Sequence, residues 1–228
     1  MKLKQKDITA EKKVILPYTP IREYEVESLG VLPPKPVYDF LKRCVDVVFS
    51  AFLLLLLAIP MVFIGFAVVL TSPGPALYRQ ERLGKDGEKI HICKFRTMIP
   101  DSEAGTICWS YDDDPRVTPL GRILRKYHID ELPQLWDIFR GVLSFVGPRP
   151  EREVFYDAFE TYIHGFHERL KVKPGLTGLA QVIGGSLMPP EEKIVCDIEY
   201  IQNRSMILDL KLILKTVFVV LGKAFRHE

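Results

Sequence analysis

Two carboxylates stand side by side in the stretch Leu124-Arg125-Lys126-Tyr127-His128-Ile129-Asp130-Glu131-Leu132-Pro133-Gln134-Leu135, just after a basic cluster. Acids beside bases suggest phosphate chemistry. A carboxylate is able to attack phosphorus and form an acyl phosphate, provided nearby cations neutralise the phosphate enough for an anion to approach. Arg125 and Lys126 lie just upstream, and Lys94-Phe95-Arg96 offers two further cations. Gly147-Pro148-Arg149-Pro150 holds one arginine in a loop stiffened by Pro148 and Pro150, as a fixed phosphate clamp would need. An acyl phosphate is reactive, so it suits transfer from one phosphate ester to another, with Mg²⁺ offsetting the crowded negative charge. The competing reading is plainer: Asp130 and Glu131 would cap the first turn of a helix and complement its dipole.

Other candidates weigh less. Asp112 and Asp114 have the D-x-D spacing with which nucleotide-sugar enzymes hold a metal, yet three acids before Pro115-Arg116 also read as a solvated loop. His164 and His167 are spaced i, i+3 without an evident third ligand. The glycine-rich run from Gly178 to Gly185 matches no phosphate-binding fingerprint, and no G-x-S-x-G elbow is present.

The elements that must position these residues are mostly helical. Val47 to Leu70 is apolar apart from Ser50, long enough for a bilayer, and begins too late for a signal peptide. Pro60 falls near its middle, where a missing N–H and a ring clash break or kink a helix. Basic residues flank both ends: Lys35, Lys42 and Arg43 before, Arg79, Arg82, Lys85 and Lys89 after. With no charge asymmetry to orient a span, a helix that enters, breaks at Pro60 and leaves through the same leaflet is favoured over a tilted transmembrane helix. Residues 1–36 read as an extended arm, 37–75 as the membrane helix and 76–228 as the catalytic domain.

Within that domain, Ala76 to Leu83 and Glu88 to Met98 flank the turn residues Gly84-Lys85-Asp86-Gly87 and predict a β-hairpin. Thr118-Pro119 predicts an N-cap and a helix to about Lys126. A second helix is expected from an Asp130 N-cap to Gly141, and a third over Glu151 to Leu170. Lys173-Pro174-Gly175 and Gly178 to Pro190 read as loops, and Pro190 to Gly222 as mostly helical. Asp209, Lys211 and Lys215 argue against a second span and for a helix lying at the bilayer surface. The fold class expected is α+β, mostly helical. A net charge of +2 with scattered basic residues argues against nucleic acid, and Cys44, Cys93, Cys108 and Cys196 form no C-x-x-C pair, which fits a reducing compartment.

Several motifs in order resemble the bacterial sugar transferases, the monotopic phosphoglycosyl transferases, over about Tyr38 to Phe225. They are Lys42-Arg43, Lys94-Phe95-Arg96-Thr97-Met98, Asp114-Pro115-Arg116, Ile129 to Leu135, Ser144 to Pro150 and Lys173-Pro174-Gly175-Leu176-Thr177-Gly178. The resemblance implies transfer of a sugar-1-phosphate from a UDP-sugar to a polyprenol phosphate such as undecaprenyl phosphate, releasing UMP, at the cytoplasmic face of a bacterial inner membrane. It implies that Asp130 is the nucleophile, with Glu131 as its acidic neighbour and Mg²⁺ bound at or beside Asp130. It makes Arg125 and Arg149 phosphate contacts, with Lys94, Arg96 and Lys173 as basic residues near the site. Lys173 stands where the family usually carries arginine, keeping the charge without the planar fork, and Ile59 stands where a serine often precedes Pro60. The implied partners are the bilayer, both substrates, and, among proteins, a second copy of the chain and downstream glycosyltransferases; the implied setting is the first step of a surface-polysaccharide pathway, carried out by a stand-alone catalytic unit. Two other readings stay open: a catalytically inactive membrane scaffold that binds polyprenol phosphate, and a metal-dependent glycosyltransferase using Asp112 and Asp114 and releasing UDP.

Overall fold

The computed structural model describes residues 13–15, 22–100, 102, 106–109, 114–185 and 188–225. In chain order the elements are β1 (Lys13–Ile15), β2 (Tyr24–Glu25), α1 (Pro36–Thr71), β3 (Leu77–Leu83), β4 (Lys89–Phe95), β5 (Thr106–Cys108), α2 (Pro119–Lys126), α3 (Gln134–Arg140), β6 (Ser144–Val146), α4 (Glu153–Glu160), β7 (Ile163–His164), β8 (Gly175–Thr177), α5 (Leu179–Gly184), α6 (Pro190–Asn203) and α7 (Met206–Phe225). The strands pair two by two: β3 with β4 antiparallel, and β1 with β5, β2 with β7 and β6 with β8 parallel. This is a mostly helical α+β chain in which the predicted hairpin is present, its Asp86 and Gly87 both at positive φ.

The apolar helix α1 does not project from the domain. It lies along it. Asp46, Ser50 and Val68 are buried, and between them Leu53, Leu54, Leu57, Met61 and Ile64 pack on the domain at helical spacing. The opposite ridge is bare: Leu55 is 82% exposed, Ile59 70%, Phe63 69% and Leu70 83%. The helix continues through Pro60 rather than ending there, but Pro60 divides two docking regions. Leu53, Leu54 and Leu57 join the cluster of Leu135, Ile138 and Phe145, whereas Met61, Ile64 and Val68 join Phe95 and Leu124.

Both flanks of α1 are tied to the same body. Before the helix, Tyr24 donates to Tyr162 O (2.7 Å) and Val26 to His164 O (2.8 Å), so the extended residues ahead of α1 are stitched to β7. Leu29 N donates to Glu168 (2.7 Å) and Lys35 Nζ to Arg204 O (2.9 Å). After the helix, Arg96 donates to the carbonyls of Ser72 (2.7 Å), Pro73 and Gly74 (3.2 Å). The basic flank Lys42-Arg43 turns inward as well. Arg43 caps the end of α3 through Ile138 O (2.8 Å) and Phe139 O (2.7 Å), Lys42 pairs with Asp209 of α7 and donates to Val146 O (2.9 Å), and Asp46 accepts from Phe145 N (3.0 Å). Asp209 also accepts from Tyr200 (2.9 Å), which accounts for a buried acid in an apolar helix. Ile207, Leu210, Leu214 and Phe218 of α7 are exposed like the outer ridge of α1.

Three local expectations need correction. Glu151 to Leu170 is not one helix: α4 stops at Glu160, Gly165 turns the chain at φ 94, and a 3-10 segment runs over Phe166–Lys171. The helical spacing of Phe155, Phe159, Tyr162 and Phe166 is real, because all four enter one aromatic core. Glu160 favours the reversal by accepting from Gly165 N (2.7 Å) and His167 Nδ1 (2.7 Å). The stretch after Gly178 holds the short helix α5, and Lys173-Pro174-Gly175 leads into β8. Finally, Asp130 is not an N-cap. Ile129–Glu131 forms a 3-10 turn entered from His128 at φ 56, and α3 begins only after Pro133.

Candidate active site

The site is assembled from β4, the end of α2, the 3-10 turn and the loop after β6. The hairpin is fixed to α3 by Asp137, which accepts from Cys93 N (2.9 Å), and this places the next residue, Lys94, against the turn. Helix α2 starts as expected, with Thr118 Oγ1 accepting from Gly121 N (3.0 Å). A Cβ on Gly121 would lie 2.2 Å from Thr97 O, so only glycine lets α2 sit this close to the chain leaving β4. That approach brings Arg125 Nε to Thr97 Oγ1 (2.9 Å).

The 3-10 turn buries both acids, and their neighbours divide them into different roles. Glu131 Oε1 accepts from Lys94 Nζ (2.7 Å), and both guanidinium NH₂ groups of Arg149 donate to the same carboxylate. Burial alone would raise the Glu131 pKa, but Arg149 and Lys94 outweigh it and hold the carboxyl well below the usual range. Asp130 takes no hydrogen bond or ion pair among the described residues. Burial, and then the charge of Glu131, raise its pKa, with Lys94, Arg125 and Arg149 opposing. Arg149 in turn is raised, chiefly by Glu131. Three cations thus face two carboxylates, one of them already committed, and the surplus positive charge suits an incoming diphosphate.

Arg149 is held by its backbone. Gly147 N donates to Thr177 O (2.9 Å), and Pro148 O accepts from Gly175 N (3.0 Å). A Cβ on Gly147 would meet Lys173 O at 2.4 Å, so the loop lies flat on the chain entering β8. Pro148 and Pro150 are both buried on either side of Arg149, whose side chain reaches Glu131.

Two of the basic residues expected near the phosphates lie elsewhere. Arg96 spends its guanidinium on the carbonyls after α1. Lys173 is half-buried, and burial lowers its pKa, with Arg43 adding to that and Asp46 opposing, so it belongs to the root of α1 rather than to the Asp130 cluster. Asp114 is buried against Arg116 (2.6 Å), which holds its pKa down, while Asp112 lies outside the described residues. A carboxylate bound so closely by its own arginine is poorly placed to hold a metal. His167 pairs with Glu160 (2.7 Å).

Sequence reasoning missed the charges behind the site. Glu151 lies buried between Arg82 (3.1 Å) and Lys193 (3.0 Å), and Arg169 is buried against Asp197 (2.6 Å). One signal was present: Arg169 sits three residues after Phe166, continuing the aromatic spacing with a charge.

The model of the bacterial sugar transferase family matches residues 37–223. The chain belongs to this family. It is 43% identical over 189 residues to the UDP-glucose:undecaprenyl-phosphate glucose-1-phosphate transferase of Caulobacter vibrioides, covering 81% of this chain and 71% of that one. It is 38% identical over 197 residues to the UDP-N-acetylgalactosamine-undecaprenyl-phosphate N-acetylgalactosaminephosphotransferase of Aeromonas hydrophila (85% of this chain, 47% of that one). The UDP-glucose:undecaprenyl-phosphate glucose-1-phosphate transferase of Escherichia coli K12 is 37% identical over 206 residues (85% and 44%). The chain therefore spans about half the length of the last two relatives. Since relatives named for glucose and for N-acetylgalactosamine are almost equally similar, identity does not select the sugar.

Proposed function

We propose that this bacterial sugar transferase moves a sugar-1-phosphate from a UDP-sugar to a polyprenol phosphate such as undecaprenyl phosphate, releasing UMP. The observation that carries the reading is the division between the two buried acids: Glu131 is locked by Lys94 and Arg149, and Asp130 is left without a partner. An Asp130 oxygen attacks the β-phosphorus, the bond from that phosphorus to the bridging oxygen breaks, and UMP leaves with the electron pair. An oxygen of the polyprenol phosphate then attacks the same phosphorus and releases the Asp130 carboxylate, giving a polyprenyl diphosphosugar. Arg149 and Arg125 hold the phosphates, and Glu131 acts as the anvil that keeps Lys94 and Arg149 in place. One diphosphate linkage replaces another, so no ATP is needed.

Mg²⁺ fits this donor set, because it is commonly held by one or two carboxylates plus substrate phosphates, and Asp130 is a buried carboxylate with free lone pairs. Asp130 would hold it, and it would supply charge neutralisation on the diphosphate.

The ties at both ends of α1 support monotopic insertion. Residues 24–35 before the helix and the hairpin after it belong to one body, and from Asp46 to Val68 the domain lines a helix length of about 33 Å, the thickness of a bilayer core. A span would drag the flank of the domain into lipid. We therefore place both flanks on the cytoplasmic face, with the bare ridges of α1 and α7 in the membrane.

The test is nucleotide release in lipid nanodiscs with Mg²⁺, undecaprenyl phosphate and a panel of UDP-sugars. UMP is the expected product. UDP would indicate an ordinary glycosyltransferase, and no nucleotide from any donor would indicate a scaffold.

A further inference from the structure

We propose that Arg169 is a positioning residue for Arg149, aiming the phosphate clamp through its backbone from a fully buried site. The inference rests on the reading of Arg149 as a phosphate contact.

The Arg169 side chain is 0% exposed, and its Nη2 donates to Arg149 O (3.0 Å) while pairing with Asp197 Oδ2 (2.6 Å). Its guanidinium lies over the rings of Phe166 (4.9 Å) and Tyr156 (5.6 Å), so stacking fixes the plane from which the N–H groups point. Asp197 is anchored on α6, which packs on the 3-10 segment that carries Arg169. Burying an arginine–aspartate pair adds little net stability relative to well-packed apolar residues, so stability alone does not account for a charge here. An apolar side chain would fill the same space, but it would leave the Arg149 carbonyl without this donor.

The Arg149 loop is constrained on two sides. Backbone bonds from Gly147 and to Pro148 hold it on β8, and the Arg169 donor reaches its middle carbonyl. Between buried Pro148 and Pro150, the peptide after Arg149 is the remaining freedom that would swing the clamp away from Glu131 and the phosphates. Arg169 removes it. A displacement of about 1 Å at a positioning group is enough to cost roughly 10²-fold in rate.

A double-mutant cycle distinguishes aiming from mere support. Arg149→Lys, Arg169→Lys and the double variant are compared by kcat/KM for UMP release in nanodiscs, each normalised to its folded fraction from a thermal melt. Arg169→Lys keeps the charge and loses the planar guanidinium that lies over Phe166 and Tyr156. We expect it to cost tenfold or more in the parent background and less than twofold in the Arg149→Lys background. Asp197→Asn, which leaves the fork but frees its anchor, is expected to show the same non-additivity. Equal penalties in both backgrounds, no penalty at all, or failure of both Arg169→Lys and Asp197→Asn to fold would overturn the proposal. A harmless Arg149→Lys would instead overturn the reading of Arg149 itself.

Discussion

At the residue scale, two adjacent acids have been given different tasks by what surrounds them. Glu131 is paired with two cations and lies deep in the fold, so it is unsuited to attack or to accept a proton. Asp130 has the same burial without the partners. Glu131→Gln tests this division. It keeps the shape but leaves Lys94 and Arg149 without their shared counter-charge, and we expect UMP release to fall by about 10²-fold, the scale seen when one preorganised electrostatic group is lost. A change under threefold would mean that Asp130 alone organises the site. The pair itself was legible in the sequence because both acids and their cations lie in short motifs. That Arg96 and Lys173 lie against the two ends of α1 was not legible, because a basic residue near a motif has the same letter whether it meets a phosphate or another part of the protein.

At the element scale, the 3-10 turn and the loop after β6 are held in place by ion pairs that come from distant parts of the chain. Glu151 is the clearest. Burial would raise its pKa, but Lys193 and Arg82 outweigh that and hold it at about 2. A depressed carboxyl contributes stability that is complete above its ordinary value near 4.5 and is lost as pH falls through that value towards about 2. The shift corresponds to about 3 kcal/mol. Glu151→Gln is therefore expected to be less stable than the parent at neutral pH, with the gap closing between about pH 5 and 2; melting curves that stay parallel across that window would contradict the role. Helices capped by local signals, such as Thr118-Pro119 and the α3 end at Gly141, could be read from the sequence. The Arg169–Asp197 and Glu151–Lys193 pairs could not, because their partners are 28 and 42 residues apart and only the folded chain brings them together.

At the scale of the whole molecule, an apolar helix that would pass for a membrane span by length and composition packs one stripe along its own domain. Its membrane-competent length and Pro60 were visible in the sequence, but the packed stripe from Asp46 to Val68 was hidden, since an apolar residue facing lipid and one facing protein look alike. In a cysteine-free background, single cysteines at Glu25 and at Lys89 should react with an impermeant maleimide from the same face of oriented membrane vesicles. Labelling from opposite faces would restore a spanning helix. The central claim is chemical, however, and it concerns one carboxylate. The most direct measurement is peptide mass spectrometry of the protein in nanodiscs with Mg²⁺ and the UDP-sugar that supports turnover, quenched before acceptor is added. The account predicts a phosphosugar mass on the peptide containing Asp130, absent in Asp130→Asn and discharged by undecaprenyl phosphate; the same mass on another residue, or full turnover by Asp130→Asn, would contradict it.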